Sequence, residues 1–390
     1  MLYNLYRMKN IYRLLSVLTM LGVILGLCSC NSKDVDSKVG AVEYTELGIP
    51  NSQRYQTGIA ARCPWEITVW DGKLFIGAGD YDKNAGPVDI WYYDLQEGVW
   101  VNSGEVPDEE VNRFTVIDGC LVAPGIDPKE NGSLGNFYRF ENDAWTTVKS
   151  IPGGLHCFDM IEYDGKIFSG IGVESGQYPI AVSTDKGNSF SYVEMYKNNA
   201  LIDTSGSKNV RVYDLFVFND TLYGAFLFGD TDITYDLYRY ENGVFVFDNQ
   251  WYNKIHQVNY NNYIIGGKAE YKGNMYFTTG YLYATDDMAN FTRVAFPRKQ
   301  TVYDICVDEN GLNALCAEKL SDGKYEISVW KNSSEKLTEF DELFSFIYDI
   351  PALSIACANG DFYIGMGERG SVNDKNGMIL YIDFTAQKDN

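Results

Sequence analysis

Charged or hydroxylic residues recur at intervals of ~50 residues, each near the start of a short apolar run: Glu66, Arg113, Asp159, Asp214, Lys268, Asp304 and Ser354. Tyr213 precedes Asp214, Tyr303 precedes Asp304, Tyr348 precedes Asp349, and His156 stands just before Asp159. Carboxylates gathered around one arginine, with tyrosines and a histidine beside them, suit two kinds of work on a sugar. They can hydrogen-bond its hydroxyls, or they can supply an acid, a base and charge stabilisation. On this reading Asp159, Asp214, His156 and Tyr213 are candidate catalytic residues, and Glu66, Arg113, Asp304 and Tyr303 are candidate substrate-binding residues. The same acids could instead accept hydrogen bonds from strand amides and hold the fold together. Which use prevails depends on the elements that carry them.

Those elements repeat. A strand, a turn and a second strand recur as "EITVWDGKLFIGAG", "RFTVIDGCLVAPG", "DMIEYDGKIFSGIG", "DLFVFNDTLYGAF", "AEYKGNMYFTTG", "DICVDENGLNALCA" and "LSIACANGDFYIGMG". After most copies a third strand turns into a fourth, as in "NFYRFENDAWTTVKSIP" and "DLYRYENGVFVF". Aromatic and β-branched enrichment with turn residues at fixed offsets is the pattern of a four-stranded antiparallel blade. The expected fold is therefore all-β, a seven-bladed β-propeller. The last copy ends after its third strand, "GMILYIDF", and "VEYTELGIP" near the start of the chain resembles a fourth strand. The N-terminal strand is expected to complete the last blade and remove an open edge.

The connections are unequal. Turns within the hairpins are short ("DG", "ND", "KG", "NG", "END", "ENG"), whereas "GDYDKNAGPV", "GIDPKENGSLG", "GERGSVNDKNG" and "DNQWYNKIHQVNYNN" are long and polar. Strand direction places the long ones on one side, which is the expected binding side. They add Trp251 and Arg369 to the substrate-binding candidates, with Tyr178, Tyr252 and His256 as further loop side chains. Most other aromatic residues fall at strand positions that pack blade on blade.

Arg7, Lys9 and Arg13 precede an apolar run from Leu14 to Leu27, too short to span a bilayer and suited to a leader peptide. The net charge of −21 becomes more negative still once these three leave with the leader. Such a surface repels nucleic acid and anionic lipid. The cysteines beyond residue 30 mostly sit in apolar runs and read as small buried hydrophobes, although Cys306 and Cys316 flank one tight turn and could bond. Two histidines are too few for a His-rich metal site. No cofactor is expected, beyond a structural calcium ion that the acidic ring could accept.

Three stretches resemble known families. "LCSC" resembles the lipobox of bacterial lipoproteins, which implies a signal peptide over residues 1–29, a lipidated Cys30 and a tether over 30–40 leading to a propeller over 41–390. Asn31 and the following "SKDVD" resemble sorting signals of Bacteroidetes surface lipoproteins, and imply an outer-membrane, surface-exposed protein carrying acyl chains such as palmitate. "STDKGNSF", from Ser183, resembles the Asp-box of sialidases. "RCPWEITVWDGKLFIGAGD" is similar to their N-terminal R-I-P stretch, with Cys63 in place of Ile. In that family the arginine clamps a substrate carboxylate, which gives Arg62 a candidate substrate-binding role. Seven-bladed polysaccharide lyases look similar in architecture, and their logic would set His156 or a tyrosine as base or acid with Arg113 neutralising a uronate. The expected function is recognition of a glycan at the channel mouth, with cleavage by hydrolase or lyase chemistry as the enzymatic version. The alternative is a non-catalytic scaffold that binds a protein partner or an outer-membrane import complex.

Overall fold

The turn between the two innermost strands of a repeat requires two left-handed residues in succession, and the sequence supplies residues that tolerate them. Asp118 and Gly119 take φ of 50° and 75°, and Asn359 and Gly360 take 55° and 85°. This twist matches that of the flanking strands and closes the hairpin in two residues. The structure, a computed structural model, describes residues 42–388 except 129–133, 174–175, 205–209, 229–233, 251–265, 310, 333 and 335. The leader, Cys30, the tether, Trp251, Tyr252 and His256 therefore lie outside the described residues. Among the described residues no helix is long and apolar enough to cross a membrane.

The chain is an all-β propeller, but the expectation of seven separate blades is corrected: the propeller is five-bladed. Five repeats stand as discrete four-stranded antiparallel sheets. Their innermost strands are Glu66–Trp70, Thr115–Ile117, Lys268–Tyr271, Thr301–Asp308 and Ala352–Ala358. The strands of the third and fourth repeats instead belong to one twelve-stranded sheet. The cause is hydrogen bonding between repeats at the long-loop end. Val173 of strand Lys166–Val173 pairs with Val210 of strand Val210–Phe218, joining the two repeats. His156 of strand His156–Tyr163 pairs with Ile126 of the short strand Ile126–Pro128. That strand in turn pairs with Asp108–Glu110. Motif counting sees the repeats but not pairing between them.

The ring closes as expected from the sequence. Strand Thr45–Gly48 lies antiparallel to Met378–Ile382, with Thr45 opposite Tyr381. Glu46 is fixed there by the Tyr348 hydroxyl at 2.9 Å and the Lys375 ammonium at 2.7 Å.

Aromatic side chains fill the seams between repeats. Phe75 of the first repeat meets Phe140 of the second at 5.0 Å, edge to face, and Phe114 stacks on Trp145 at 6.1 Å. The Trp145 indole donates to Ser103 at 2.9 Å, so the ring is anchored as well as buried. The Asp-box is a turn. It joins strands Ile180–Ser183 and Ser191–Tyr192, and Asp185 accepts the Ser189 amide at 2.9 Å and the Ser189 hydroxyl at 2.6 Å. These bonds hold the Asp185 carboxyl down at about 2. The related stretch around Asp287 does the same with Ala289 and Asn290.

Deleting residues 42–49 leaves strand Met378–Ile382 as an open edge. The thermal midpoint is expected to fall by at least ~5 °C, with self-association on size-exclusion chromatography. An unchanged midpoint and a monomeric profile would show that closure contributes little.

Candidate functional site

The residues that recur along the sequence do meet at the propeller axis, and a β-bulge places most of them. Each of four innermost strands slips register by one residue, at Phe158, Tyr213, Tyr303 and Leu353, just before Asp159, Asp214, Asp304 and Ser354. A bulge re-aims the next side chain. Here it turns Asp159 and Asp304 onto backbone amides and Asp214 toward Arg113.

Asp159 accepts the amide of Met160 at 2.9 Å and that of Leu215, in the next repeat, at 2.7 Å. Asp304 repeats the pattern with Ile305 at 2.8 Å and Ile355 at 2.9 Å. Ser354 continues it by donating to the Pro64 carbonyl at 2.7 Å. Arg113 reaches Asp159 at 2.9 Å, Asp214 at 2.8 Å and the Tyr213 carbonyl at 3.3 Å. Lys268 pairs directly with Asp159 and sits 3.6 Å from Asp214. Arg113, Asp159 and Asp214 are buried at 8%, 2% and 0% exposure. Burial opposes each charge, but Asp159 and Asp214 outweigh it at Arg113, whose pKa is raised. Arg113 and Lys268 outweigh it at Asp159, whose pKa is lowered. The cluster is a neutralised tie between repeats, and Arg113 already has two carboxylate partners.

Next to it, a channel of about 270 Å³ is lined by Glu66, Thr68, Arg113, Lys268, Asp304 and Cys357, among others. Burial and the nearby Asp304 push Glu66 up to about 8, and burial pushes Asp304 up to about 7 despite its two amide donors. Near neutral pH the channel wall therefore carries less negative charge than its acids suggest. Among the described residues no group of three or more His, Cys, Asp or Glu is placed to hold a metal ion.

Other candidates lie elsewhere. The Arg62 guanidinium is taken up by the carbonyls of Tyr55 at 3.0 Å and Ser52 at 3.4 Å. Tyr303 is packed into a seam, where burial pushes its phenol up to about 12. Arg369 lies over the Trp65 ring at 4.7 Å and pairs with Asp82 at 2.8 Å, in a separate loop cluster.

A second polar group forms where the extra pairing fuses the third and fourth repeats. His156 opens its strand at the long-loop end and stacks on Phe158, 5.7 Å between centroids and 12° between planes. Gly172 opposite makes room: a Cβ there would sit 3.2 Å from His156 Cδ2 and 3.1 Å from Phe158 Cε2. Asp127 faces His156 Nδ1 at 3.3 Å. Asp127 holds φ at +57°, although it lies within the short strand Ile126–Pro128. A left-handed non-glycine in a strand is uncommon and strained, and such strain collects at working sites. Arg211 donates to the Tyr213 hydroxyl at 3.5 Å and lies over Phe158 at 5.8 Å, while Tyr213 packs on Phe158 at 4.4 Å. Burial lowers the His156 pKa below its usual 6.5; Asp127 opposes this and Arg211 adds to it.

The chain is similar to a chain of the mitotic checkpoint complex, at 12% identity over 90% of this chain and 94% of that one, with a TM-score of 0.49. It is also similar to an ulvan lyase from a family of polysaccharide lyases, at 13% identity over 81% and 90%, with a TM-score of 0.48. No protein-family model matches the chain, and no curated protein does either.

Of the sequence candidates, Asp159, Asp214, Arg113, Glu66 and Asp304 are thus gathered at the axis, whereas His156 and Tyr213 stand with Asp127 and Arg211, which no flanking motif marks. Asp127 sits in "GIDPKENGSLG", a long loop by sequence. Only its pairing with His156 and its left-handed backbone distinguish it.

The two clusters should respond differently to mutation. Arg113→Ala strands two buried carboxylates and is expected to lower unfolding free energy by ~3–5 kcal/mol. Arg211→Ala should cost no more than ~1 kcal/mol. Urea midpoints with unchanged slopes read both, and equal losses would remove the distinction.

Proposed function

We propose that this propeller binds an acidic polysaccharide at its long-loop end and cleaves it by β-elimination next to a uronate. The observation that carries the reading is the group His156, Asp127, Arg211 and Tyr213, assembled by the extra pairing and held by the strained Asp127. Hydrolysis by the usual route asks for two carboxyl groups flanking the bond. The axial carboxylates are committed to Arg113, Lys268 and backbone amides, whereas the long-loop group offers a histidine, a phenol and a guanidinium. That set suits abstraction of a proton beside a carboxylate.

In the proposed reaction Arg211 faces the uronate carboxylate and stabilises the charge that develops on it. Asp127 accepts the Nδ1 hydrogen of neutral His156, which leaves Nε2 to take the C5 proton. The C5 electron pair forms the C4–C5 double bond, the C4–O bond breaks, and the departing oxygen takes a proton from the Tyr213 hydroxyl. Together the two products hold every atom of the polymer once the proton on His156 is passed back to the Tyr213 oxygen through solvent, and one product ends in an unsaturated uronate. The lowered His156 pKa supports this role, because the neutral imidazole persists below pH 6.5. A lipid anchor at Cys30 in an outer membrane, with the propeller facing a polymeric substrate, belongs to the same proposal.

The measurement is ultraviolet absorbance of the unsaturated product across a panel of uronate-containing and sialylated polymers. Turnover is expected on the uronates, with a loss of ~10²–10⁴-fold in His156→Ala. Because a base works only when neutral, activity should fall as pH drops through the His156 pKa, below about 6.5. Asp127→Asn removes the carboxylate that raises that pKa, so its acid limb should move lower while the maximum rate falls. Binding without turnover on every polymer would reduce the protein to a glycan-binding module. Neither binding nor turnover, with a stable protein partner recovered, would leave the scaffold reading.

A further inference from the structure

Cys306 and Cys357 lie on neighbouring innermost strands, Thr301–Asp308 and Ala352–Ala358. Asp304 sets how these strands are aligned, because its carboxylate accepts the amide of Ile355, 51 residues on. Cys357 stands at that same offset from Cys306, so the two cysteines are level with each other. Both pack against one apolar seam that contains Leu315, Phe344 and Phe362, and both line the central channel. The two thiols are near enough to interact, since Cys357 adds to burial in raising the Cys306 pKa. Other cysteines have other partners. Cys63 donates to Asn376 at 3.5 Å, Cys157 shares a hydrogen bond with Ser169 at 3.0 Å, and Cys120 reaches Glu141 at 3.5 Å.

The pairing that the sequence left open, Cys306 with Cys316, does not form. Cys306 is opposite Asn313 and Cys316 opposite Val302. Cys316 packs into a different seam, with Tyr276 and Trp330. The two thus serve opposite sides of their blade, although a single hairpin separates them.

We propose that Cys306 and Cys357 form a disulfide that staples two adjacent blades at the channel wall. Cysteines level with each other on adjacent strands can bring their sulfurs to the ~2 Å bonding distance by side-chain rotation. With oxidised glutathione as the oxidant, one thiolate attacks a glutathione sulfur and releases one reduced glutathione. The second cysteine then attacks the mixed disulfide, forms the protein S–S bond and releases another. Two protein thiols are oxidised and one disulfide is reduced, with two protons passing to the glutathione products. Burial holds the Cys306 thiol protonated, so a disulfide isomerase is needed for the exchange to run at a useful rate. The bridge would close the loop from 306 to 357, which contains the whole outer part of one blade, and would constrain the unfolded chain accordingly.

The test uses the full-length protein incubated with oxidised glutathione and a disulfide isomerase, then denatured in an alkylating reagent and digested. A linked peptide pair holding Cys306 and Cys357, two hydrogens lighter than its separate parts and lost on reduction, is the expected product. Oxidation should raise the thermal midpoint by ~5 °C, and the gain should be absent in Cys306→Ser and Cys357→Ser. Recovery of both cysteines alkylated, separately glutathionylated or linked to other cysteines overturns the proposal. The peptide map is read on the unmutated chain, so it stands even where a serine variant folds poorly.

Discussion

Arg113 is the hub on which the middle of this propeller depends. Its guanidinium is buried among Asp159, Asp214 and the Tyr213 carbonyl, and Lys268 completes the charge balance from the fifth repeat. One side chain thus connects strands that are far apart in sequence. Elsewhere around the axis the same task falls to single hydrogen bonds: Asp304 to Ile355, and Ser354 to Pro64. Apolar packing in the seams is less directional than these bonds. Directional bonds at the narrow centre fix the offset between neighbours. Buried ion pairs add little net stability over apolar substitutes, but breaking one strands its partners, so the cluster acts chiefly as a specifier of alignment.

That constraint decides where chemistry can happen. Side chains occupied in holding the ring together are poor candidates for binding a ligand, since each would have to give up a buried partner. A second set of polar side chains lies further out, where strand Ile126–Pro128 inserts beside His156 and the third and fourth repeats merge. The strain at Asp127 and the gap provided by Gly172 both serve the position of the His156 ring. The irregularity that breaks the regular blade pattern and the residues suited to proton transfer coincide in space.

Much of the fold was legible in the sequence because its signals are local. Alternating strands, two-residue turns such as Asp118–Gly119 and the Asp185 turn all act over a few residues, and each repeats. Closure by Thr45–Gly48 was legible too, from an incomplete last copy. The number of discrete blades was not, because Val173 pairing with Val210 depends on the path of two long loops rather than on any motif. The site was half legible. His156 and Tyr213 stood out by type and position, and the axial acids by their spacing. Spacing could not show that a one-residue bulge turns Asp159 and Asp304 onto backbone amides. Nor could it separate Arg113, buried between two carboxylates, from Arg211, which lies beside a phenol. Arg62 shows the same limit, since a motif match placed it as a carboxylate clamp while the fold binds it to two carbonyls.

The central claim is a division of labour between an axial cluster that aligns the blades and a long-loop cluster that meets the substrate. The most direct measurement is a crystal structure of the His156→Ala protein with a uronate-containing oligosaccharide. The sugar carboxylate is predicted against Arg211, with a ring carbon facing the space vacated by the imidazole and Tyr213 near the glycosidic oxygen. A sugar seated in the central channel against Arg113, or on Trp65 and Arg369, would contradict the account.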